Sequence, residues 1–119
     1  MMNELKIDFT EVKHLSAEDS TFYCELLDIF IQGTEEGIEG IEKSIANEDW
    51  LNMAEWAHKI SSPCKHFHIE TLYQTLKEIE NSGRNKNNLE AIPLLLEKLK
   101  LDGQIAIKLV RKELEANRT

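Results

Sequence analysis

Between Ile92 and Leu114 the apolar residues Ile92, Leu95, Leu96, Leu99, Ala106, Leu109, Val110 and Leu114 recur at intervals of three and four. That spacing puts them on one stripe of a helix, and a helix with one apolar stripe must bury it against another element. A second stripe, Ile69, Leu72, Tyr73, Leu76 and Ile79, precedes it and is expected to stop at Asn81-Ser82-Gly83. No segment alternates apolar and polar residues with period two for long enough to propose a strand. The chain is therefore predicted to be all-α: four amphipathic helices joined by short loops in an antiparallel up-down four-helix bundle, with a short additional N-terminal helix packed on one end.

The N-terminal part supplies the other elements. Asp8, with Glu11 three residues on, reads as the cap of the short helix. Ser16 is a second cap candidate, and nothing forces a stop from about Ala17 to Asn47, so one long helix is predicted there. Its first half is apolar over a wide arc, from Phe22 to Ile31, which exceeds what one core-facing stripe needs. Its second half carries Gly33, Gly37 and Gly40. Each glycine costs roughly 1 kcal/mol relative to alanine in a helix, so a local reason or a kink is expected. Asn47 and Asp49 bracket a tight turn, which makes the helix beginning near Trp50 an antiparallel neighbour. Pro63 should kink or end that helix within a turn. Asn87 or Asn88 is expected to cap the last helix, with Pro93 near its start and Asp102-Gly103 as a soft spot.

A chain of 119 residues fits one domain, taken as 1–119, and can bury a core without metal or disulfide. Cys24 and Cys64 both fall at apolar helical positions and no secretory signal precedes them, so both are expected to be reduced thiols in a cytoplasmic protein. The apolar runs fall far short of the roughly 20 residues needed to span a bilayer, so no membrane segment is expected. A formal net charge of -8 leaves no basic stripe to neutralise nucleic-acid phosphates. An acidic surface instead suits a protein partner of complementary charge, and a monomer is expected.

Within Trp50 to Ser62 one histidine has unusual company. At three and four residues from His58 stand Ala54, Glu55, Ser61 and Ser62, so small side chains surround most of its own face. The core stripe Met53, Ala57, Ile60 and Cys64 lies about one residue's rotation away, which places His58 at the core's edge, within reach of solvent. Trp50, then Ala57-His58-Lys59-Ile60, then Ile69-Glu70-Thr71-Leu72 and Leu76-Lys77-Glu78-Ile79-Glu80, together resemble a histidine-containing phosphotransfer (HPt) domain over most of the chain. The shared pattern is a Trp eight residues before the active His, an Ala just before it, and a following helix that ends in Leu/Ile-Glu. Where the family usually has Lys, Gly and Gly at the third, fourth and tenth positions after the His, this chain has Ser61, Ser62 and His68.

The resemblance implies that His58 accepts a phosphoryl group from a receiver-domain aspartate and passes it to another, in a hybrid histidine kinase or a response regulator. It implies no ATP site and no cofactor of the chain's own, because Mg²⁺ would belong to the receiver. A neutral imidazole offers an unprotonated nitrogen near pH 7, and the reaction also needs positive charge near the equatorial oxygens. With the family's Lys absent, Ser61 offers only a hydrogen bond. Lys65, two turns along the same face, is preferred over Lys59 as the substituting cation. The partner-facing surface is expected to comprise Ala54, Glu55, Ser62 and the glycine line Gly33, Gly37 and Gly40. Cys64, His66 and His68 match neither a helical histidine pair nor a Cys-x-x-Cys knuckle, so no metal site is expected. Glu78 and Glu80 read as solvated acids. A different class remains open: a helical interaction module that docks a receiver-like partner without transferring phosphate.

Overall fold

A computed structural model describes residues 5–118. Five helices follow in order: α1 Thr10–Leu15, α2 Ser20–Ala46, α3 Trp50–His66, α4 Glu70–Asn85 and α5 Ile92–Asn117, with a single 3₁₀ turn at Leu89–Ala91 before the last. There is no strand among the described residues, so the class is all-α as read from the periodicity. Helices α2 to α5 form the bundle: α3 packs on α2 and α4, and α5 packs on α2 and α4 from the opposite side. Leu27, Phe30, Ile41, Met53, Ala57, Leu72, Leu76, Ile79, Leu99, Ala106 and Val110 fill the space between them.

The caps explain the boundaries. Asp8 accepts the Thr10 N–H and opens α1 as expected. For α2 the cap is Asp19, which accepts the Phe22 N–H, and the helix starts at Ser20 rather than near Ala17. Ala17 and Glu18 take left-handed backbone angles, which turn the chain sharply between α1 and α2, and Ser16 instead donates its hydroxyl to the Lys13 carbonyl. Asp49 caps α3 through the Asn52 N–H. Pro63 lies inside the last turn of α3, which ends three residues later at His66. Helix α1 is pinned over the end of α3: the Asp8 N–H donates to the Phe67 carbonyl, and the Phe9 and Phe67 rings meet edge to face.

Four of the five glycines hold the bundle close rather than breaking it. A Cβ on Gly37 would overlap Ile60, and one on Gly40 would overlap the Trp56 ring, so α2 and α3 approach where α2 has no side chains. Gly103 does the same for Ile38 between α5 and α2, and α5 runs straight through the expected soft spot. Gly83, expected to stop α4, lies buried inside it, and a Cβ there would come within 2.5 Å of the Trp50 carbonyl oxygen and 3.0 Å of the Ala54 Cβ. The helix continues to Asn85 because these contacts with α3 offset the low helix propensity of glycine.

Candidate functional site

The close approach at Ala54 and Gly83 sets the site one turn further along both helices. There His58 on α3 meets Glu80 on α4, with Nδ1 3.1 Å from Oε2. The His58 side chain is 64% exposed, whereas that of Glu80 is only 8% exposed. An acid this buried needs partners. Lys77 donates from Nζ to Oε1 at 2.9 Å, and Arg84 donates from Nε to Oε2 at 3.0 Å and from Nη2 to Glu55 at 3.2 Å. Burial alone would raise the Glu80 carboxyl, but the hydrogen bonds from Lys77 and Arg84 outweigh it and hold the group below its ordinary value. Contact with Glu80 in turn raises both cations.

An ionised carboxylate only accepts hydrogen bonds, so the neutral His58 ring carries its proton on Nδ1. Its lone pair is then on Nε2, the nitrogen that Glu80 does not engage. The site thus holds an exposed imidazole in one tautomer and one orientation, its Nε2 lone pair free and a fixed negative charge behind it.

If His58 reacts as the family resemblance implies, replacing Glu80 by Ala is expected to slow that reaction roughly tenfold or more, the scale seen when a carboxylate that orients a metal-ligating histidine is removed. Phosphate uptake measured beside circular dichroism separates this from unfolding. The lowered Glu80 value also carries a pH dependence. Because the folded group ionises at lower pH than the unfolded one, its contribution is present above the unfolded value of about 4.5 and is lost as pH falls through the folded value. The melting temperature of Glu80→Gln should therefore fall less steeply on acidification below about pH 4.5 than that of the parent.

The residues proposed from sequence divide in two. Glu55 and Ser62 lie exposed beside His58, and a Cβ on Gly33 would meet open space. Lys65 is exposed and has no ion pair among the described residues, while Lys59 lies over the Trp56 ring at 5.1 Å. The other four sites are corrected. Ala54 is fully buried under Gly83 and Gly37 is buried against Ile60, while Gly40 is half-buried with the Trp56 ring packed where a side chain would go, so the expected bare glycine line beside His58 is instead packing space for α3. Ser61 is buried and donates its hydroxyl to the His58 carbonyl at 2.8 Å, which bends it back along its own helix instead of toward the ring. Cys64, His66 and His68 do not converge: Cys64 is buried, with its thiol pushed up to about 12 by desolvation, and both histidines turn to Glu11.

Glu80, Lys77 and Arg84 are not recognisable as a site from exposure arguments, and Glu80, whose pattern reads as a solvated acid, is instead buried between the two helices. The available signal was its register. Glu80 falls four and eight residues after the buried Leu76 and Leu72, with cations three residues before it and four after. His68 shows another trace of the pattern. Its φ of 56° is left-handed, a conformation that favours glycine, at the position where the resembled family has one.

Comparison with known proteins agrees with this fold. The family model described as Hpt domain matches residues 25–117. The fold is similar to that of histidine-containing phosphotransfer protein B (HptB) from Pseudomonas aeruginosa PAO1, with a TM-score of 0.84 at 23% identity over 94% of this chain and 96% of that one. It is also similar to the HPT domain of a sensor hybrid histidine kinase from Shewanella, with a TM-score of 0.76 at 16% identity over 92% and 94% of the two chains. No curated protein matches the sequence. A family match spanning both the His58 helix and the Glu80 helix makes this chain a member of the Hpt domain family.

Proposed function

We propose that the chain is a phosphorelay intermediate in which His58 Nε2 takes the phosphoryl group from the aspartyl phosphate of one receiver domain and yields it to the aspartate of another. The observation that carries this reading is the His58–Glu80 pair, an exposed imidazole whose tautomer is fixed by a buried carboxylate on the neighbouring helix. In the forward step the N–P bond forms as the acyl-phosphate P–O bond breaks, and the receiver's carboxylate leaves with the electron pair. No proton has to move, because Nδ1 keeps its hydrogen. The charge that develops on the ring is balanced by Glu80.

Lys77 and Arg84 are committed to Glu80, so they neutralise the carboxylate rather than reach for phosphate. Lys65 is the exposed cation on the His58 face without such a commitment, about 10 Å along the helix by its seven-residue separation. Lys65→Ala should slow transfer by less than about tenfold without abolishing it, as fits one charge acting on the transition state. Single-turnover kinetics from a phosphorylated receiver would read this, and an unchanged rate would remove Lys65 from the site.

The receiver would dock across Glu55, His58 and Ser62. The apolar surface beyond Ser62, where Leu15 is 56% and Ile29 63% exposed around a cavity of about 190 Å³ lined also by Leu26, Phe30 and Pro63, extends that face. The deciding experiment is incubation with a panel of phosphorylated receivers followed by assay for acid-labile phosphate on this chain. Uptake from at least one supports transfer. Binding without uptake from any of them favours the docking module that does not transfer.

A further inference from the structure

The side of the molecule opposite His58 carries a pattern that phosphoryl transfer does not use. Helix α5 lies diagonally across the bundle from α3, since each packs on α2 and α4. Along its outer face run Leu94, Lys98, Leu101, Ile105, Lys108 and Lys112, spaced four, three, four, three and four residues apart. All six are exposed, Leu94 at 72% and Leu101 at 63%. A 4-3 spacing keeps one narrow seam on a helix, the geometry that meets a second helix rather than a broad surface.

The three lysines on this seam are uncommitted, although other cations of the same helix are not. On α5 itself Lys100 pairs with Glu42 and Arg111 with Glu35, whereas Lys98, Lys108 and Lys112 have no ion pair among the described residues. They leave an uncompensated positive stripe between exposed aliphatic side chains, on the surface of a chain with a net charge of -8. The lysines also decide against a second copy. In an antiparallel pair of α5 helices centred near Gly103, Lys98 would face Lys108, and in a parallel pair each lysine would face itself. An anionic membrane is disfavoured by the narrow seam and by the negative charge of the rest of the protein.

We propose that this seam is a second docking surface, for an amphipathic helix of another protein that sets apolar residues against Leu94, Leu101 and Ile105 and acidic residues against the three lysines. Such a partner would hold the domain from behind while the His58 face stays open. Only that last point rests on the transfer reading.

The test uses the full chain and a labelled, designed 21-residue helical peptide with Leu opposite the aliphatic seam positions and Glu opposite the lysines, followed by fluorescence anisotropy. The peptide should bind, lose affinity as salt rises, and bind at least tenfold more weakly to Lys98→Glu/Lys108→Glu/Lys112→Glu. A peptide with Lys in place of Glu should show the reverse preference. Leu101→Gln, a single change at an exposed position, should also weaken binding while circular dichroism stays unchanged. Absence of binding, or equal binding by the parent and both variants, overturns the proposal. So does tight association with phosphatidylserine vesicles, or self-association of the parent that Leu101→Gln abolishes. Binding is read without any phosphoryl group, so failure of the His58 assignment would leave this result standing. Loss of phosphate uptake when the peptide is bound would overturn the separation of the two faces.

Discussion

His58→Gln should abolish acid-labile phosphate on this chain while leaving its fold and melting temperature close to those of the parent. The variant keeps a polar side chain of similar reach, and its amide can still donate to Glu80, so the buried carboxylate with its Lys77 and Arg84 partners does not lose its neighbour. What disappears is the ring nitrogen with a lone pair. Nucleophilic attack on phosphorus has no substitute for it nearby, because His14 lies on α1 and both His66 and His68 are engaged with Glu11. Loss should therefore be complete within detection, unlike the partial effect expected for Glu80→Ala, which leaves the nucleophile but frees its orientation. Parent-level uptake by His58→Gln from a phosphorylated receiver would rule out His58 as the acceptor.

Gly37→Leu should lower the melting temperature by roughly 10 °C or more, from an overpacking cost of about 3 kcal/mol. The added Cβ would overlap Ile60, a β-branched residue that is itself buried and has little freedom to turn away. Gly33→Ala should act in the opposite direction. Its Cβ meets nothing within 4 Å, so it gains roughly 1 kcal/mol of helix propensity and raises the melting temperature by a few degrees. Thermal denaturation followed by circular dichroism measures both. Equal effects at the two positions would mean that the contact between α2 and α3 is looser than the packing of Ile60 implies. A glycine line that looks uniform in sequence thus contains at least two kinds of position.

The helices were legible because burying a stripe imposes a period, and period survives in sequence without any knowledge of the neighbour. The class, the order of elements, the Asp49 cap, the short extension of α3 beyond Pro63 and the edge position of His58 all follow from residues close to one another along the chain. Glu55 and Ser62 beside His58 were legible for the same reason, since both lie within one turn of it. Which side of each helix meets which neighbour is a different kind of information. Ala54, Gly37 and Gly40 are small, and small residues serve equally to let a partner approach or to let a neighbouring helix approach. Only the placement of Ile60, Trp56 and Gly83 showed that all three are used inside the bundle. Sequence does not tell where Ser61 aims its hydroxyl, because a serine in a helix can turn back to a carbonyl one turn earlier, as it does to that of His58. Glu80 shows the limit most clearly. An acid on an amphipathic helix is ordinarily solvated, and it became the group that orients His58 only because Gly83 lets α4 approach α3, with Lys77 and Arg84 neutralising the charge that this burial would otherwise leave unpaired.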